Sequence, residues 1–293
     1  MKKRLFKNKV AELVFGMFAW STVAIILGIF LMLSINGARL IFHISPAEFF
    51  NSHWNPSAYE NPRFGIGSLF IGTMLTTLLA MVLAVPVGLA TAGCLSELVP
   101  ATVRNWIKPM IEMLAAVPSV VIGFLGVVVV GPFIAHIFHL PNGLNALNGA
   151  ILLAIMALPT IVTIAEDAIH AVPQEYKEAS YALGANPWTT LVKVTIPSCY
   201  SGLIAAVVLG LGRAIGETMT VLMVTGNSVA TPHGIFDPVR TLTSTIAIEM
   251  GEVPFGSQHY YGLFACGLIL FIFTLSTNIL AEYLTRKLRK RGR

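Results

Sequence analysis

Hydrophobic and polar positions along this chain are sorted into long blocks instead of alternating at short range. Six blocks are almost free of charge: 13–35, 68–95, 113–134, 149–165, 200–225 and 262–281. A helix crossing the hydrocarbon core of a bilayer needs about 20 mostly apolar residues, so each block predicts a membrane span. The fourth is short at 17 residues, and the fifth carries two charges. None alternates with the period of two that a barrel strand requires. The first, at 23 residues, is longer than the roughly 7–15-residue core of a cleaved signal peptide and predicts a span that stays attached. The expected fold is an all-α integral membrane protein with six transmembrane helices. Its parts are a basic stretch 1–12, a first helix 13–35, an outer loop 36–67, a membrane domain 68–284 containing a cytoplasmic loop 170–199, and a basic tail 285–293.

Composition strengthens this reading. Lys, Arg, Asp and Glu make up 11% of the 293 residues, where globular chains average about 25%. The net charge of +5 sits at the two ends, with Lys2, Lys3, Arg4, Lys7 and Lys9 before the first block and Arg286, Lys287, Arg289, Lys290, Arg291 and Arg293 after the last. Charge placed this way gives no nucleic-acid surface. With Arg104, Lys108, Lys177 and Lys193 in the second and fourth loops, fifteen cations lie on one side, against Arg39, Arg63 and Arg240 on the other. The positive-inside rule then puts both termini in the cytoplasm. Cys94, Cys199 and Cys266 are isolated and read as small buried hydrophobes. His136 and His139 lack further ligands nearby, so neither a metal nor a cofactor is predicted.

The spans are irregular inside. Pro86, Pro118 and Pro159 each interrupt a hydrophobic run, where a missing N–H loosens or bends a helix. They either shape packing or bend the bundle around a pathway. In the fifth block Gly202, Ala206, Gly210 and Ala214 recur every four residues, and Gly212 and Gly216 form a GxxxG pair. Small residues at this spacing let helices approach closely, which predicts that the fifth helix is the bundle's centre. Arg213 and Glu217 lie within the same block. An unpaired Arg near the middle of a span costs about 2.5–3.5 kcal/mol on insertion scales. Four residues apart, the two share one helix face. They form either a structural ion pair or the lining of a route for a charged solute, where Arg213 offers a fork of donors to an oxyanion and Glu217 keeps that anion from settling too tightly. Glu166 and Asp167 end the fourth span and read as caps in the interfacial water.

The loop 170–199 has a different character. Pro173 opens a helix over 174–183, Gly184 stops it, Pro187 starts a further turn and Pro197 closes the segment. Glu175, Lys177 and Glu178 stand beside Tyr176, Ala179 and Leu183, a mixture suited to a protein groove. The order Glu178-Ala179-Ser180, Gly184, Val194, Ile196-Pro197 resembles the EAA loop of binding-protein-dependent ABC importer permeases, with its spacing kept over 20 residues. The stretch LGRAIGETM around Arg213 resembles the phosphate-specific branch of that family. So do Trp54-Asn55-Pro56, Phe64-Gly65, Gly72-Thr73, Val117-Pro118-Ser119-Val120-Val121 with Gly123, Thr241-Leu242, Thr245-Ile246-Ala247, Gly256-Ser257 and His259-Tyr260.

This resemblance implies a type I importer (MetI-like) permease core in a bacterial inner membrane. It implies that Glu178, Ala179 and Gly184 form a coupling helix seated in a groove of an ATPase subunit. The implied partners are a second permease subunit, a pair of ATPase subunits, a periplasmic phosphate-binding protein and a regulatory partner. The chain has no G-x-x-x-x-G-K-[ST] loop to cradle ATP phosphates, and no HExxH or GxSxG motif, so it is expected to be a non-catalytic subunit. The same architecture accommodates sulfate or molybdate as cargo. A signalling role with transport secondary, and an ion channel, are the competing functions. The hydroxyl-rich outer stretch 226–261 reads either as an interfacial helix or as a docking surface.

Overall fold

The computed structural model describes residues 2–58 and 60–291, with the side chains of 12–58, 60–283, 285 and 286. The lysines and arginines of 1–11 and 287–293, which carry most of the charge asymmetry, lie outside the described side chains. The chain begins with a long helix α1 (Lys2–Ile41), a short α2 (Pro46–Phe49) and a two-stranded antiparallel hairpin, β1 (Trp54–Asn55) with β2 (Arg63–Phe64). Helix α3 (Gly67–Gly93) ends in a π-helical turn at Cys94–Leu98 and is followed by α4 (Ala101–Leu114). Then come α5 (Ser119–Leu125), a π turn at Gly126–Val130, α6 (Gly131–Phe138) and α7 (Ala146–His170). The loop segment holds α8 (Gln174–Ala182), α9 (Pro187–Thr190), a third π turn at Leu191–Thr195 and α10 (Ile196–Ser198). Helices α11 (Tyr200–Ile215), α12 (Met219–Val224), α13 (Leu242–Glu249) and α14 (Gln258–Arg291) complete the chain.

Among the described residues five stretches are long and apolar enough to cross a bilayer: Glu12–Ile41, Gly67–Leu98, Ser119–Phe138, Ala146–His170 and Gln258–Tyr283. A sixth arises when Pro187–Ser198 and Tyr200–Ile215, bent by 77° at their junction, count as one broken span. The fold class expected from the blocks is therefore met, with four local corrections. The third span starts at Ser119, because Pro118 stands ahead of α5 and not inside a helix, and residues 113–114 belong to the separate α4. The fourth span runs to 25 residues, because Asn145 caps its start and its last turns carry Glu166 and Asp167. The fifth block breaks after Ile215. Cys199 and Cys266 are buried as expected, but Cys94 is exposed.

The centre of the bundle is α7, where the sequence pointed to α11. Of its most apolar window 61% is buried, against none for α1. Alanines and glycines make this possible by letting α3 and α11 lie close against α7. Ala80, Ala84, Ala150, Ala154, Ala157, Ile161 and Ala214 share one core, and Ala92, Ala165, Ile169, Leu203 and Ala206 another. The four-residue stripe on α11 works as expected: a Cβ on Gly202 would sit 2.4 Å from the Ala168 Cβ, and one on Gly210 would sit 2.5 Å from Ile161 Cγ1. The GxxxG pair does not. A Cβ on Gly212 would meet nothing within 4 Å, so that face is open in this chain.

Helix α3 spans the thickness of the molecule. At its start, Leu40, Phe49, Trp54, Phe64, Ile66, Leu69, Leu242 and Leu263 form a core under the hairpin. At its other end its π turn meets α8 and α9. The hydroxyls of Thr73 and Thr76 donate to Leu69 O and Gly72 O at 2.8 and 2.9 Å, which lets polar residues occupy a buried face without orphaned donors.

The glycine contrast gives a prediction. Gly202→Ala forces two rigid Cβ atoms together, and overpacking of this kind costs about 1–3 kcal/mol. Gly202→Ala is expected to lower the thermal midpoint of the purified full chain in detergent, whereas Gly212→Ala leaves it unchanged. Equal midpoints for the two would contradict this packing.

Candidate functional site

The break in the fifth block sets the geometry around Arg213 and Glu217. Helix α11 ends at Ile215, and α12 starts at Met219 after three intervening residues. The residues 216–218 between them separate two charges that a continuous helix would stack. Arg213 lies in the last turn of α11, where the carbonyl end of the helix dipole favours a cation. Glu217 sits at the start of α12, and its Oε1 accepts from the Thr218 and Thr220 N–H groups at 3.1 and 3.3 Å. These are donors a helix start leaves unpaired. Each charge is thus stabilised by the helix end beside it, and the two do not pair directly, so the structural ion pair, one of the two readings of their spacing, is not formed between them. Among the described residues no carboxylate lies within 4.0 Å of Arg213. The guanidinium makes two long contacts, Nη1 to Thr160 Oγ1 at 3.3 Å and Nη2 to Ala115 O at 3.5 Å. It is half-buried, held by neutral groups only, and retains donors for an anion.

Two surrounding elements, α5 and α13, fix the break. Thr220 is buried and donates to Ser119 O at 2.9 Å, joining α12 to α5. Gly123 allows this approach, since a Cβ there would meet Met223 Sδ at 2.8 Å. Thr243 donates to Glu217 O at 2.9 Å from the first turn of α13. Thr241 caps that helix reciprocally with Ser244, and Thr241, Thr243, Ser244 and Thr245 are all buried. The hydroxyl-rich stretch is therefore an internal brace. As a set, these hydroxyls are not available as a docking surface.

Helix α8 presents Glu178 and Ala179 outward with Glu175, Tyr176 and Leu183, the last 90% exposed. Gly184 follows with φ of +81°, the left-handed conformation glycine adopts freely. Its N–H donates to Tyr181 O at 2.9 Å and that of Ala185 to Ser180 O at 3.2 Å, the double bond of a Schellman stop. Lys177 differs from the expectation that it shares the outer face. It turns inward, its side chain 7% exposed, and its Nζ meets Glu97 Oε1 at 2.5 Å in the π turn of α3. Ser180, also buried, pairs with Thr190 Oγ1 at 2.9 Å. The exposed face of α8 is thus rigidly tied to α3 through its buried face.

Glu166 and Asp167 are more than caps. Glu166 is 1% exposed and forms ion pairs with Arg104 and Lys108, and Lys108 also meets Asp167 at 3.0 Å. Hydrogen bonding to Glu166 raises the Lys108 pKa above the usual lysine range despite opposing desolvation. Through these bonds α4 is clamped to α7 by its charged face. Val103, Trp106, Met110 and Met113 are left exposed on the other. Neither this clamp nor the Lys177–Glu97 pair was legible beforehand, because the partners lie 58 to 80 residues apart. The one available signal was carboxylates placed in otherwise apolar helix ends.

A bundle with a broken helix at a mid-chain cation, and with an exposed helix rigidly joined to it, has the construction of a membrane transport component. Solved structures agree on the fold. The MetNI methionine ABC transporter in an inward-facing form matches with TM-score 0.59 at 18% identity, over 74% of this chain and 93% of that one. A bacterial ABC transporter involved in import of the acidic polysaccharide alginate matches with TM-score 0.64 at 14% identity, over 97% and 99%. The family model described as "Binding-protein-dependent transport system inner membrane component" matches residues 84–290, and the chain belongs to that family. Among curated relatives, the probable ABC transporter permease protein YqgH of Bacillus subtilis is 37% identical, covering 90% of this chain and 86% of its own. The phosphate transport system permease protein PstC of Mesorhizobium japonicum is 35% identical over 81% and 77%, and that of Haemophilus influenzae 31% identical over 98% and 94%.

Removing one member of a buried ion pair costs about 3–5 kcal/mol, whereas an apolar pair of similar volume often restores stability. Glu97→Leu and Lys177→Met are each expected to destabilise the chain by that order, and the double variant Lys177→Met/Glu97→Leu to recover most of the loss. Thermal unfolding of the four proteins checks this. Additive losses in the double variant would show the two side chains to be independent.

Proposed function

We propose that this chain is a permease subunit of an ATP-driven importer that carries inorganic phosphate across a bacterial inner membrane. The observation that carries the reading is the half-buried Arg213 guanidinium at the end of α11, held only by Thr160 and Ala115 O and, among the described residues, with no carboxylate within 4.0 Å. A planar fork of charged donors suits a tetrahedral oxyanion. The names of the PstC relatives favour phosphate as that oxyanion.

In this reading the chain is not itself an enzyme. A PstS-like binding protein delivers phosphate to the hairpin end, and a PstA-like second permease subunit closes the other side of the pathway. A pair of PstB-like ATPase subunits grips Glu178, Ala179 and Gly184. Both termini face the cytoplasm, as the charge asymmetry of the loops favours. When the ATPase subunits close on ATP, α8 moves. The Lys177–Glu97 bond passes that displacement to α3, and α3 lies along α7. The helices around the break then expose Arg213 to one side of the membrane and afterwards to the other. Glu217, held by the N–H groups of α12, limits how tightly an anion rests on Arg213. Binding strong enough to admit an ion yet weak enough to release it is the general requirement for conduction.

Uptake of labelled phosphate into proteoliposomes holding the complete complex tests this. Phosphate alone is expected to compete with the label, while sulfate and molybdate are not. Loss of one charged hydrogen-bond donor to an anion costs about 1.5–3 kcal/mol, so Arg213→Gln is expected to slow uptake at least about tenfold, with Arg213→Lys intermediate. Glu178→Arg is expected to leave ATP hydrolysis running without transport. Wild-type uptake by Arg213→Gln would remove Arg213 from the pathway, and competition by sulfate would change the cargo. A complex that hydrolyses ATP without moving any oxyanion would make signalling the better reading.

A further inference from the structure

The hairpin end contains a cavity of about 950 Å³ that the helix break does not use. Its wall carries Arg63 on β2, His53 just before β1, His233 in the loop after α12, and Arg240 just before α13. Glu249 is the one carboxylate among its lining residues, and it is already satisfied. Its oxygens accept from Arg240 Nη1 at 2.7 Å, from Trp54 Nε1 at 3.0 and 3.2 Å, and meet His259 Nε2 at 2.8 Å. Arg240 is fixed further by its Nε, which donates to Asn227 O at 3.1 Å. Among the described residues the Nη2 end of its fork makes no hydrogen bond, and Arg240 lines the cavity. Arg63 has no carboxylate within 4.0 Å among the described residues. Glu48 lines an adjoining cavity that shares Arg63 and His53 with the first. The large cavity therefore presents one uncompensated Arg and the open edge of a second.

The cavity and the break are joined by a very short path. Arg240 is followed by Thr241, Leu242 and Thr243, and Thr243 Oγ1 donates to Glu217 O at 2.9 Å. Val239 N–H donates to Thr225 O, at the end of α12, at 2.8 Å. A single buried segment thus carries both the Arg240 wall and the brace of the Arg213 site.

We propose that this cavity is a weak receiving site for a free inorganic oxyanion, which waits there between Arg63 and Arg240 before passing to Arg213. It rests on the phosphate-importer reading and adds a second station to it. The volume is far larger than a bare tetrahedral oxyanion, so the ion stays largely hydrated and touches the two guanidinium groups at the wall. A wet site of this kind concentrates the anion without holding it, and a low-dielectric cleft of one charge sign has this focusing effect. The position of Arg63 on an exposed two-residue strand makes it the removable half of the site. Arg240 is also part of the Glu249 network and cannot be changed cleanly.

The test uses the complete complex in nanodiscs, with a nitroxide on Ser57→Cys at the cavity wall and inorganic phosphate as the probe. Enhanced ³¹P relaxation of phosphate is expected, reversed by excess phosphate and cut at least about fivefold by Arg63→Gln, with Arg63→Lys partly retaining it. In proteoliposomes Arg63→Gln is expected to lower the maximal uptake rate while leaving the affinity for the phosphate-loaded binding protein unchanged. Relaxation insensitive to Arg63→Gln would overturn the proposal. So would a variant that weakens binding-protein docking at unchanged maximal rate, because Arg63 would then be a contact for an acidic surface of that protein. Phosphate transport by a complex showing no relaxation effect removes only the receiving site, whereas absence of phosphate transport removes the importer reading itself.

Discussion

Hydrocarbon offers no water to an unpaired peptide group, and each such group left bare costs several kcal/mol. This constraint governs every place where the bundle departs from straight helix. At 216–218 the interruption survives because side chains supply what the backbone lost. The Glu217 carboxylate takes two N–H groups, the Thr243 hydroxyl reaches Glu217 O, and the Thr220 hydroxyl reaches Ser119 O. The same bonds tie α12 to α5 and α13, so the break is also the junction of three elements. At the π turn Cys94–Leu98 the distortion coincides with Glu97, which pairs with Lys177 of α8. Irregular backbone and polar side chain occur together because neither is tolerable in lipid alone.

The two ends of α3 meet different physical demands. At the end that meets α8, charges sit at helix termini. There Glu97 and Glu166 each face a Lys or Arg from another element. These bonds are directional, and they set the angle at which α8 and α4 leave the bundle. At the hairpin end the core is aromatic and aliphatic, and Glu249 gathers Trp54, Arg240 and His259 around one carboxylate. Helix α3 therefore has an ionic joint to α8 at one end and a packed core at the other.

Much of this was legible in the sequence, for a definable reason. Long apolar blocks report spans because lipid enforces them residue by residue, and Gly184 reports a helix stop because its positive φ is a local demand. What the sequence left hidden depends on side chains meeting across the fold. Lys177 reads as a surface lysine until α3 delivers Glu97, and Glu166 reads as a cap until α4 folds back over it. For a related reason Arg213 and Glu217 do not form the direct pair, one of the two readings that their spacing allowed. Spacing of four implies one face only if the helix continues, and Gly216 followed by Glu217 and Thr218 ends it. The centre fell on α7 and not on α11 because glycines mark where helices approach, not which partner is surrounded.

Among the described side chains, the buried positions of α1 lie in its later turns. Its C-terminal half meets α14 through Gly37, whose Cα side lies against Ala265, through Phe30 against Phe271, and through Arg39, which donates to Tyr261 Oη at 2.7 Å. Its earlier turns carry Leu13, Phe15, Phe18 and Trp20 fully toward lipid. The apolar stretch Glu12–Ile41 has 30 residues, about 45 Å of helix at 1.5 Å per residue, against a hydrocarbon core of about 30 Å. Mismatch of this size is relieved by tilt. A change of tilt fits such a helix to a thinner or thicker bilayer while the Phe30, Gly37 and Arg39 contacts hold it to α14.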